Sequence, residues 1–496
     1  MIHLPAIGRR FRSGIVCGLL GLWSAVAASA GSELIITNAR VFDGRNAQLH
    51  ENAEIVIAGG KIVAIRKAGS GLPEAGSTAA GADASRDAKA GSASAAGSAP
   101  RVIDAGNRIV IPGLIDAHVH PAMAIQIGAL RDSDPNYVAA RSVVEAQHIL
   151  MRGFTTIRDM GGPVFGLKQA IDEDLLPGPR IFPSGAIISQ TSGHGDFRPR
   201  SGTARRWSGE VDLGERLGYG LIADGSDEVA TAVREQLRVG ASQIKLAAGG
   251  GISSMYDPID SVQYFEEELR AAVRAAADWG TYVAVHAYTP AAIRRSVEAG
   301  VRSIEHAHLI DDATMKLIAE RGAFLSPQAY LFSRAMPPPA GGGATAAAGS
   351  SSPAAGPALT PSQAAQRDKA MLVGAGLDRM MQLAKKHGVK IAFGTDVFGS
   401  PRAFGLESLE FGVRLRWFTS LEILRQATSI NGELLALSGP RNPYAGGKLG
   451  VLEPGAWADL LVVDGNPLED IRVLEQPDRS LRLIVKNGQV VANRLD

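Results

Sequence analysis

Residues 114–120 read LIDAHVH, and this stretch decides both the fold and the kind of site that we expect. It is a short apolar run of the length that buried strands have. His118 and His120 lie two residues apart, so a strand places both imidazoles on the same face. Such a pair is either a satisfied pair of core histidines or a pair of ligands, and the rest of the chain has to distinguish the two.

Helical patterns alternate with further apolar runs after this stretch. Asp134-Pro135 starts one helix that Gly153 ends, and Ser261 precedes an acidic first turn whose helix ends at Gly280. Strands that are each followed by a helix predict an α/β fold, a (β/α)₈ TIM-like barrel over 112–437. A doubly wound open sheet is the alternative, but no glycine-rich nucleotide turn follows the first strand. The predicted strands are 114–120, 155–160, 180–188, 243–248, 282–288, 303–308, 323–328 and 390–396.

Segments with a different sequence pattern flank the predicted barrel. Residues 31–111 and 438–496 contain short strand patterns with glycine turns, and Asn487-Gly488 is a hairpin signal. We expect one small β-sandwich domain built from both termini. Residues 72–100 and 335–361 are rich in Ala, Gly, Ser and Pro, which predicts flexible surface insertions. The second insertion follows the seventh strand, where it is either a mobile lid or a tolerated insertion.

The composition excludes several classes of protein. Of 496 residues, 45% are hydrophobic and 20% are charged, which excludes disorder, a collagen-like fold and a transmembrane bundle for most of the chain. The formal net charge of +1 gives no electrostatic signature of a nucleic-acid partner. We also expect the protein to form a homo-oligomer.

The N-terminus has the pattern of a secretory signal peptide over residues 1–30. Arg9, Arg10 and Arg12 precede an apolar stretch that ends before the small residues Ala28-Ser29-Ala30. The stretch is too short for a membrane span, so we expect a periplasmic or secreted protein without stable membrane insertion after cleavage. A retained anchor and twin-arginine export are the alternatives. Cys17 is the only cysteine, so the mature protein has no thiol to bind a metal.

Polar residues collect at the carboxyl ends of the predicted strands, where barrel enzymes carry their sites. Five of the ten histidines are among them, and imidazole with carboxylate suits Zn²⁺, Mn²⁺, Co²⁺ or Ni²⁺. The residues are His118, His120, Lys245, His286, His306, His308 and Asp396.

Five motifs carry a family resemblance that covers essentially the whole mature chain: PGLIDAHVHP, IKLAAGGG, VHAY, SIEHAH and FGTD. In order and spacing they resemble the metal-dependent amidohydrolase superfamily. The stretch ISQTSGHGDFR (188–198) is similar to the imidazolonepropionase-related branch that includes Xaa-Pro dipeptidases, metallocarboxypeptidases and ochratoxin amidohydrolases. The resemblance implies two divalent metal ions, with zinc as the first choice.

The resemblance also implies a role for each ligand. His118, His120 and Asp396 would bind the more buried metal, and His286 and His306 the second. Lys245, carboxylated on its amine by carbon dioxide, would bridge the two. His308 shares a strand face with His306 and is the alternative ligand. An ordinary Lys245 in a salt bridge would instead indicate a mononuclear relative of imidazolone hydrolases or deaminases.

The resemblance implies hydrolysis of an amide by metal-activated hydroxide. Asp396 would take the water proton and deliver it to the leaving nitrogen. His194 is a candidate to hydrogen-bond the carbonyl oxygen, Tyr288 to hold the α-carboxylate, and Arg198 to pair with that carboxylate. His308 is a further candidate for substrate binding.

These roles favour a substrate with a free carboxylate, cleaved at the amide bond to its C-terminal amino acid. Dipeptides, N-acyl amino acids and ochratoxin-type amides all fit this description. A cyclic-amide hydrolase or deaminase of the imidazolonepropionase type is the alternative enzyme. A metal-binding scaffold without catalysis is the third hypothesis, although it has no need of Asp396 as a proton carrier.

Overall fold

The computed structural model describes residues 33–69, 99–130, 132–333 and 360–495. The predicted signal peptide and most of both predicted insertions lie outside the described residues. Thr360 and Pro361, at the end of the second insertion, already belong to the start of a helix. Within the described ranges, every helix is too short or too polar to cross a membrane.

The strands come in three groups: five near the N-terminus, nine in the central region and three near the C-terminus. They are β1 (Leu34–Val41), β2 (His50–Ala58), β3 (Lys61–Lys67), β4 (Arg101–Asp104), β5 (Ile109–Pro112), β6 (Leu114–Val119), β7 (Phe154–Asp159), β8 (Arg180–Phe182), β9 (Ile187–Ser189), β10 (Gly220–Ile222), β11 (Ile244–Ala247), β12 (Val283–Ala287), β13 (Ser303–His306), β14 (Phe324–Ser326), β15 (Leu460–Val463), β16 (Leu481–Lys486) and β17 (Gln489–Asn493).

Helices follow most of the central strands and continue towards the C-terminus. They are α1 (Pro135–Met151), α2 (Phe165–Asp172), α3 (Arg205–Ser208), α4 (Leu213–Arg216), α5 (Ser226–Arg238), α6 (Glu266–Asp278), α7 (Pro290–Ala299), α8 (Asp312–Arg321), α9 (Ala329–Ser333), α10 (Pro361–Gly374), α11 (Leu377–His387), α12 (Pro401–Phe404), α13 (Glu410–Arg414), α14 (Ser420–Arg425), α15 (Asn431–Ala436) and α16 (Pro477–Ser480).

The strands of the two termini form one mixed sheet of eight strands, with β17-β16-β15-β5-β1-β2-β3 in order and β4 beside β1. β15 runs antiparallel to β5, so the C-terminal strands join the N-terminal ones directly. The terminal segments therefore meet as the sequence indicated. The β-sandwich arrangement is not confirmed, because the structure shows this single hydrogen-bonded sheet.

The central strands are parallel and form two hydrogen-bonded arcs, β6-β7-β8 and β10-β9-β11-β12-β13-β14. Apolar faces of the intervening helices cover them, as in α5, where Val229, Val233 and Leu237 are buried at a spacing of four residues. The hydrogen-bonded ladder does not close into a complete barrel.

The predicted eighth strand, 390–396, is the place where closure fails. It makes one isolated parallel bridge, between Ile391 and Leu325, instead of a ladder. The Asn431 side chain forms hydrogen bonds with both backbone groups of Phe393: the Phe393 N–H donates to Asn431 Oδ1 at 3.0 Å, and Asn431 Nδ2 donates to the Phe393 carbonyl oxygen at 2.8 Å. In addition, Asp396 has a positive φ of 56°, which is not a strand conformation. The segment still lies beside β6, because the Ala117 N–H donates to the Phe393 carbonyl oxygen at 2.8 Å.

Two further expectations need correction. The run 180–188 is not one strand: Pro183 lacks a ladder donor and Gly185 has a φ of 73°, so it splits into β8 and β9 in different arcs. Ser261 does not cap a helix, because α6 begins at Glu266 after Phe265. The predicted helix after Asp134 is confirmed, since the Asp134 carboxylate accepts a hydrogen bond from the N–H of Asn136 at the start of α1.

Candidate metal centre

The residues predicted at the strand ends meet in one cavity of about 250 Å³. It lies at the carboxyl ends of the central parallel strands, as the fold predicts. Eight of the ten residues that the sequence singled out line this cavity: His118, His120, His194, Lys245, His286, Tyr288, His306 and Asp396. Arg198 and His308 are absent from this lining.

His118, His120 and Asp396 form the tightest group in the cavity. The Asp396 Oδ1 atom lies 3.1 Å from His120 Nε2 and 3.4 Å from His118 Nε2. Their potential ligand atoms all lie within 4.8 Å of one another. The backbone fixes Asp396 here, because its N–H donates to the His118 carbonyl oxygen at 2.6 Å.

The protonation states of His118 and Asp396 fit a divalent cation. Burial lowers the pKa of His118 well below its usual value, so its imidazole is neutral at ordinary pH. Burial would raise the pKa of Asp396, but the neighbouring His118 and His120 lower it overall, which favours the carboxylate. Neutral imidazole and ionised carboxylate are the forms that ligate metals.

A buried carboxylate sets the tautomer of His118. The His118 Nδ1 atom lies 2.8 Å from Glu305 Oε2, and Arg158 donates from Nη2 to both oxygens of Glu305 at 2.8 and 2.9 Å. A carboxylate held by Arg158 can only accept, so Nδ1 carries the proton and Nε2 keeps its lone pair for the cavity.

His286 and His306 form the second group, with ring centroids 4.5 Å apart. The Oε1 atom of Gln328 lies 2.6 Å from His306 Nδ1, so an Nδ1–H donor leaves Nε2 as the ligand atom. In His286, Nε2 lies 3.1 Å from the Gly250 carbonyl oxygen, which leaves Nδ1. Burial lowers the pKa of both histidines well below the usual value.

Lys245 lies on β11, lines the same cavity as these two groups and is 3% exposed. Burial lowers its pKa to about 8, although Glu305 and Asp396 oppose the shift. A larger fraction of its amine is therefore uncharged near neutral pH than for a solvated lysine. A neutral amine is the form that reacts with carbon dioxide, so Lys245 fits the carboxylated bridge that the resemblance implies.

Gln328 gives a prediction that addresses metal binding directly. Gln328→Met removes the acceptor for His306 Nδ1 at nearly constant volume, and we expect the affinity for a divalent metal to fall about 10–100-fold. Competition with a chelating dye measures this affinity. Gln328→Glu keeps an acceptor at that position and is expected to bind metal more tightly than the Met variant. Unchanged affinity in Gln328→Met would contradict the orienting role.

Residues of the loop 249–257 contact the His194 ring and hold it in place. The Nδ1 atom of His194 lies 2.7 Å from Ser254 Oγ and 3.5 Å from Asp257 Oδ2. Gly251 is required there, because a Cβ on it would lie 1.8 Å from that nitrogen. Lys369 of α10 fixes the loop by donating to the carbonyl oxygens of Gly251, Ser254 and Asp257 at 2.8 to 3.0 Å. The ring also stacks on His286, with centroids 4.0 Å apart.

The remaining predicted residues have different surroundings. Tyr288 lines the cavity, and burial raises its pKa well above the usual value, so its hydroxyl stays protonated. His308 packs against Phe332, with ring centroids 4.3 Å apart, and neither of its ring nitrogens has a hydrogen-bond partner in the described part of the chain. Burial lowers its pKa to about 3. Arg198 forms a bidentate pair with Asp196 in an outer cleft.

Sequence reasoning missed the residues that orient the histidines. Glu305 and Arg158 stood inside predicted strands, in SIEHAH and TTIRDM, and both are fully buried. Gln328 is the last residue of the run AFLSPQ, at a strand end where polar side chains were already of interest. An ionisable residue within a buried strand is the signal that could have found the first two, because such a charge needs a partner.

Comparison of the chain with known proteins shows relatives among the amide hydrolases and dipeptidases. Ochratoxinase from Aspergillus niger is 31% identical over 399 residues, 77% of this chain and 75% of that protein. A prolidase structure in complex with N-methylphosphonate-L-proline is 33% identical, with a TM-score of 0.76 over 93% of this chain and all of that one. A Xaa-Pro dipeptidase structure with methionine in its active site is 29% identical, with a TM-score of 0.72 over the same shares.

The structures of this family imply an α/β TIM-like barrel fold for the central region. Members of the family generally bind divalent metals and hydrolyse C–N bonds, which agrees with the donor set around Asp396. The amidohydrolase family model matches residues 109–491, and this chain therefore belongs to the amidohydrolase family.

Proposed function

We propose that this protein hydrolyses the amide bond between an acyl or aminoacyl group and a C-terminal amino acid, with two divalent metals. One observation carries the proposal: two groups of buried histidines, a carboxylate and a buried lysine face the same cavity. This donor set suits amide hydrolysis, because a poor amine leaving group needs both an activated nucleophile and a proton donor. The prolidase and the dipeptidase with ligands in their structures support a small-molecule substrate.

The metals would be held by the residues that the geometry already orients. His118, His120 and Asp396 would hold one, and His286 with His306 the other. Bound there, they would supply Lewis-acid chemistry and lower the pKa of water towards neutrality. Lys245, once carboxylated, would be an anionic bridge between the two groups.

Asp396 is the residue proposed to move the proton. Its side chain is 16% exposed, so it reaches the cavity while its backbone is held against His118. We propose that it accepts the proton of the attacking water and then protonates the leaving nitrogen. Because the same carboxylate performs both transfers, no second acid is required.

His194 and Tyr288 are proposed to position the substrate. The Ser254 hydroxyl can donate to His194 Nδ1, in which case Nε2 carries a proton that can stabilise negative charge on the carbonyl oxygen. The protonated hydroxyl of Tyr288 can donate to the α-carboxylate of the substrate. Arg198 contributes to binding this carboxylate less directly, since Asp196 compensates its charge.

A hydrolysis panel tests the proposal. The mature protein, reconstituted with Zn²⁺, Mn²⁺ or Co²⁺ in bicarbonate buffer, is assayed against dipeptides and N-acyl amino acids that differ in the C-terminal residue. We expect turnover that a chelator abolishes and that needs a free C-terminal carboxylate. Release of ammonia from heterocycles, with every amide left intact, would contradict the proposal and favour the cyclic-amide hydrolase or deaminase.

A further inference from the structure

The cavity at the candidate metal centre adjoins a larger outer cleft of about 760 Å³. The two spaces share four wall residues: Phe197, Ile252, Ser253 and Phe398. Because the walls are shared, a substrate whose scissile bond lies beside Asp396 can extend one of its ends into the cleft.

The boundary between the two spaces is largely apolar. Phe197, Ile252 and Phe398 form its hydrophobic part, and Met255 and Tyr256 continue it towards the rim, where they are 42% and 48% exposed. Apolar side chains left exposed beside a polar centre are typical of a surface that a ligand covers. An apolar group seated on this boundary would gain by removing its own surface and that of the protein from water.

In the described part of the chain, both carboxylates that line the two spaces already have partners. Among the described residues of both linings, the carboxylates are Asp396 and Asp196. Arg198 pairs with Asp196, at 2.8 Å from Nε to Oδ1 and 2.5 Å from Nη2 to Oδ2, and the Ser192 N–H also donates to Oδ2. Asp396 faces His118 and His120. Neither carboxylate is available to a positively charged group on the substrate.

From these observations we infer that the N-terminal half of the substrate is an uncharged, apolar acyl group. The preferred substrates are then N-acyl amino acids with an aromatic or long alkyl acyl group, and free dipeptides are poor ones. An α-ammonium seated against this wall would lose water without gaining a carboxylate partner, which is unfavourable. The inference rests on the proposed function and selects one of its two substrate classes.

The test compares two substrates that differ only in that ammonium group. N-(3-phenylpropanoyl)-L-leucine is L-phenylalanyl-L-leucine without its α-ammonium, and any other C-terminal residue that the enzyme prefers can replace leucine in both. We expect kcat/KM for the acyl compound to be higher by about tenfold or more, the discrimination that one unpaired polar group commonly produces.

A matched pair of variants tests the effect of a negative charge on this wall, because one variant adds a carboxylate and the other does not. Ser253 lies on the shared wall outside the proposed machinery, and its side chain is partly exposed. Ser253→Asp is expected to reduce the preference for the acyl compound by about tenfold, whereas the similarly sized Ser253→Asn leaves it unchanged. The preference is a ratio measured on one preparation, so losses of folded protein or bound metal cancel.

The outcomes separate this inference from the proposed function. Equal kcat/KM for the two compounds in the wild type would overturn the inference and leave amide hydrolysis standing. The same preference in Ser253→Asp and Ser253→Asn would contradict the placement of the acyl group on this wall. If neither compound is hydrolysed, the proposed function fails, and calorimetric binding of the two compounds decides the inference: tighter binding of the dipeptide overturns it.

Discussion

Asparagine in place of Asp396 is expected to lower kcat by about 10²–10⁴-fold, the contribution that general acid–base catalysis typically makes. The amide cannot take a proton from the attacking water, although its oxygen remains a weak metal ligand. The fold is expected to persist, because the hydrogen bond that holds this residue to His118 comes from the backbone. Asparagine also tolerates the φ of 56° at this position, which a β-branched residue would not.

The measurements for this variant are kcat, metal content and melting temperature. Asp174→Asn is a matched control, because Asp174 has the same φ of 56° but lies exposed after α2, away from the cavity. We expect the control to retain wild-type values of all three. A kcat within a few-fold of wild type for the Asp396 variant, with metals bound, would show that another group moves the proton.

The ends of the predicted strands located the cavity because the rule that barrel enzymes carry their sites at these ends depends on chain topology. Parallel strands with helical crossovers direct their carboxyl ends to one side, whatever the exact strand limits are. His118, Lys245, His286 and His306 therefore meet although they are far apart in sequence. The period of two also placed His118 and His120 correctly, since both Nε2 atoms face the same oxygen of Asp396.

The features that sequence missed depend on contacts between distant residues. An apolar run predicts a strand at 390–396, but the sequence does not show that Asn431 takes the backbone groups of Phe393. It shows an acid at 305 and an arginine at 158, but not that they form a buried pair behind His118. The split at 180–188 is different, because Pro183 and Gly185 were visible signals within the run.

If the proposed centre holds two metals, replacing Lys245 with alanine is expected to reduce bound metal from two ions to one or fewer per chain. We expect kcat/KM to fall by about 10³-fold or more, since losing a Lewis-acid contribution of several kcal/mol has an effect of this size. The fold should persist, because the variant removes a buried amine whose desolvation opposes its charged form. Elemental analysis of metal content, kcat/KM and melting temperature provide the test.

Lys245→Glu is the informative companion to Lys245→Ala, since it places a carboxylate on the same strand without needing carbon dioxide. It is expected to hold more metal than Lys245→Ala, although its shorter side chain cannot reproduce the reach of a carboxylated lysine.

Wild-type protein stripped of metal should regain activity faster with bicarbonate than without it. Burial lowers the pKa of Lys245 to about 8 and so favours the neutral amine that must react with carbon dioxide.

Two metals and full activity in Lys245→Ala would exclude the bridge. One tightly bound metal with full activity would instead indicate a mononuclear centre at His118, His120 and Asp396, in which Lys245 is an ordinary buried lysine that the acids Glu305 and Asp396 stabilise.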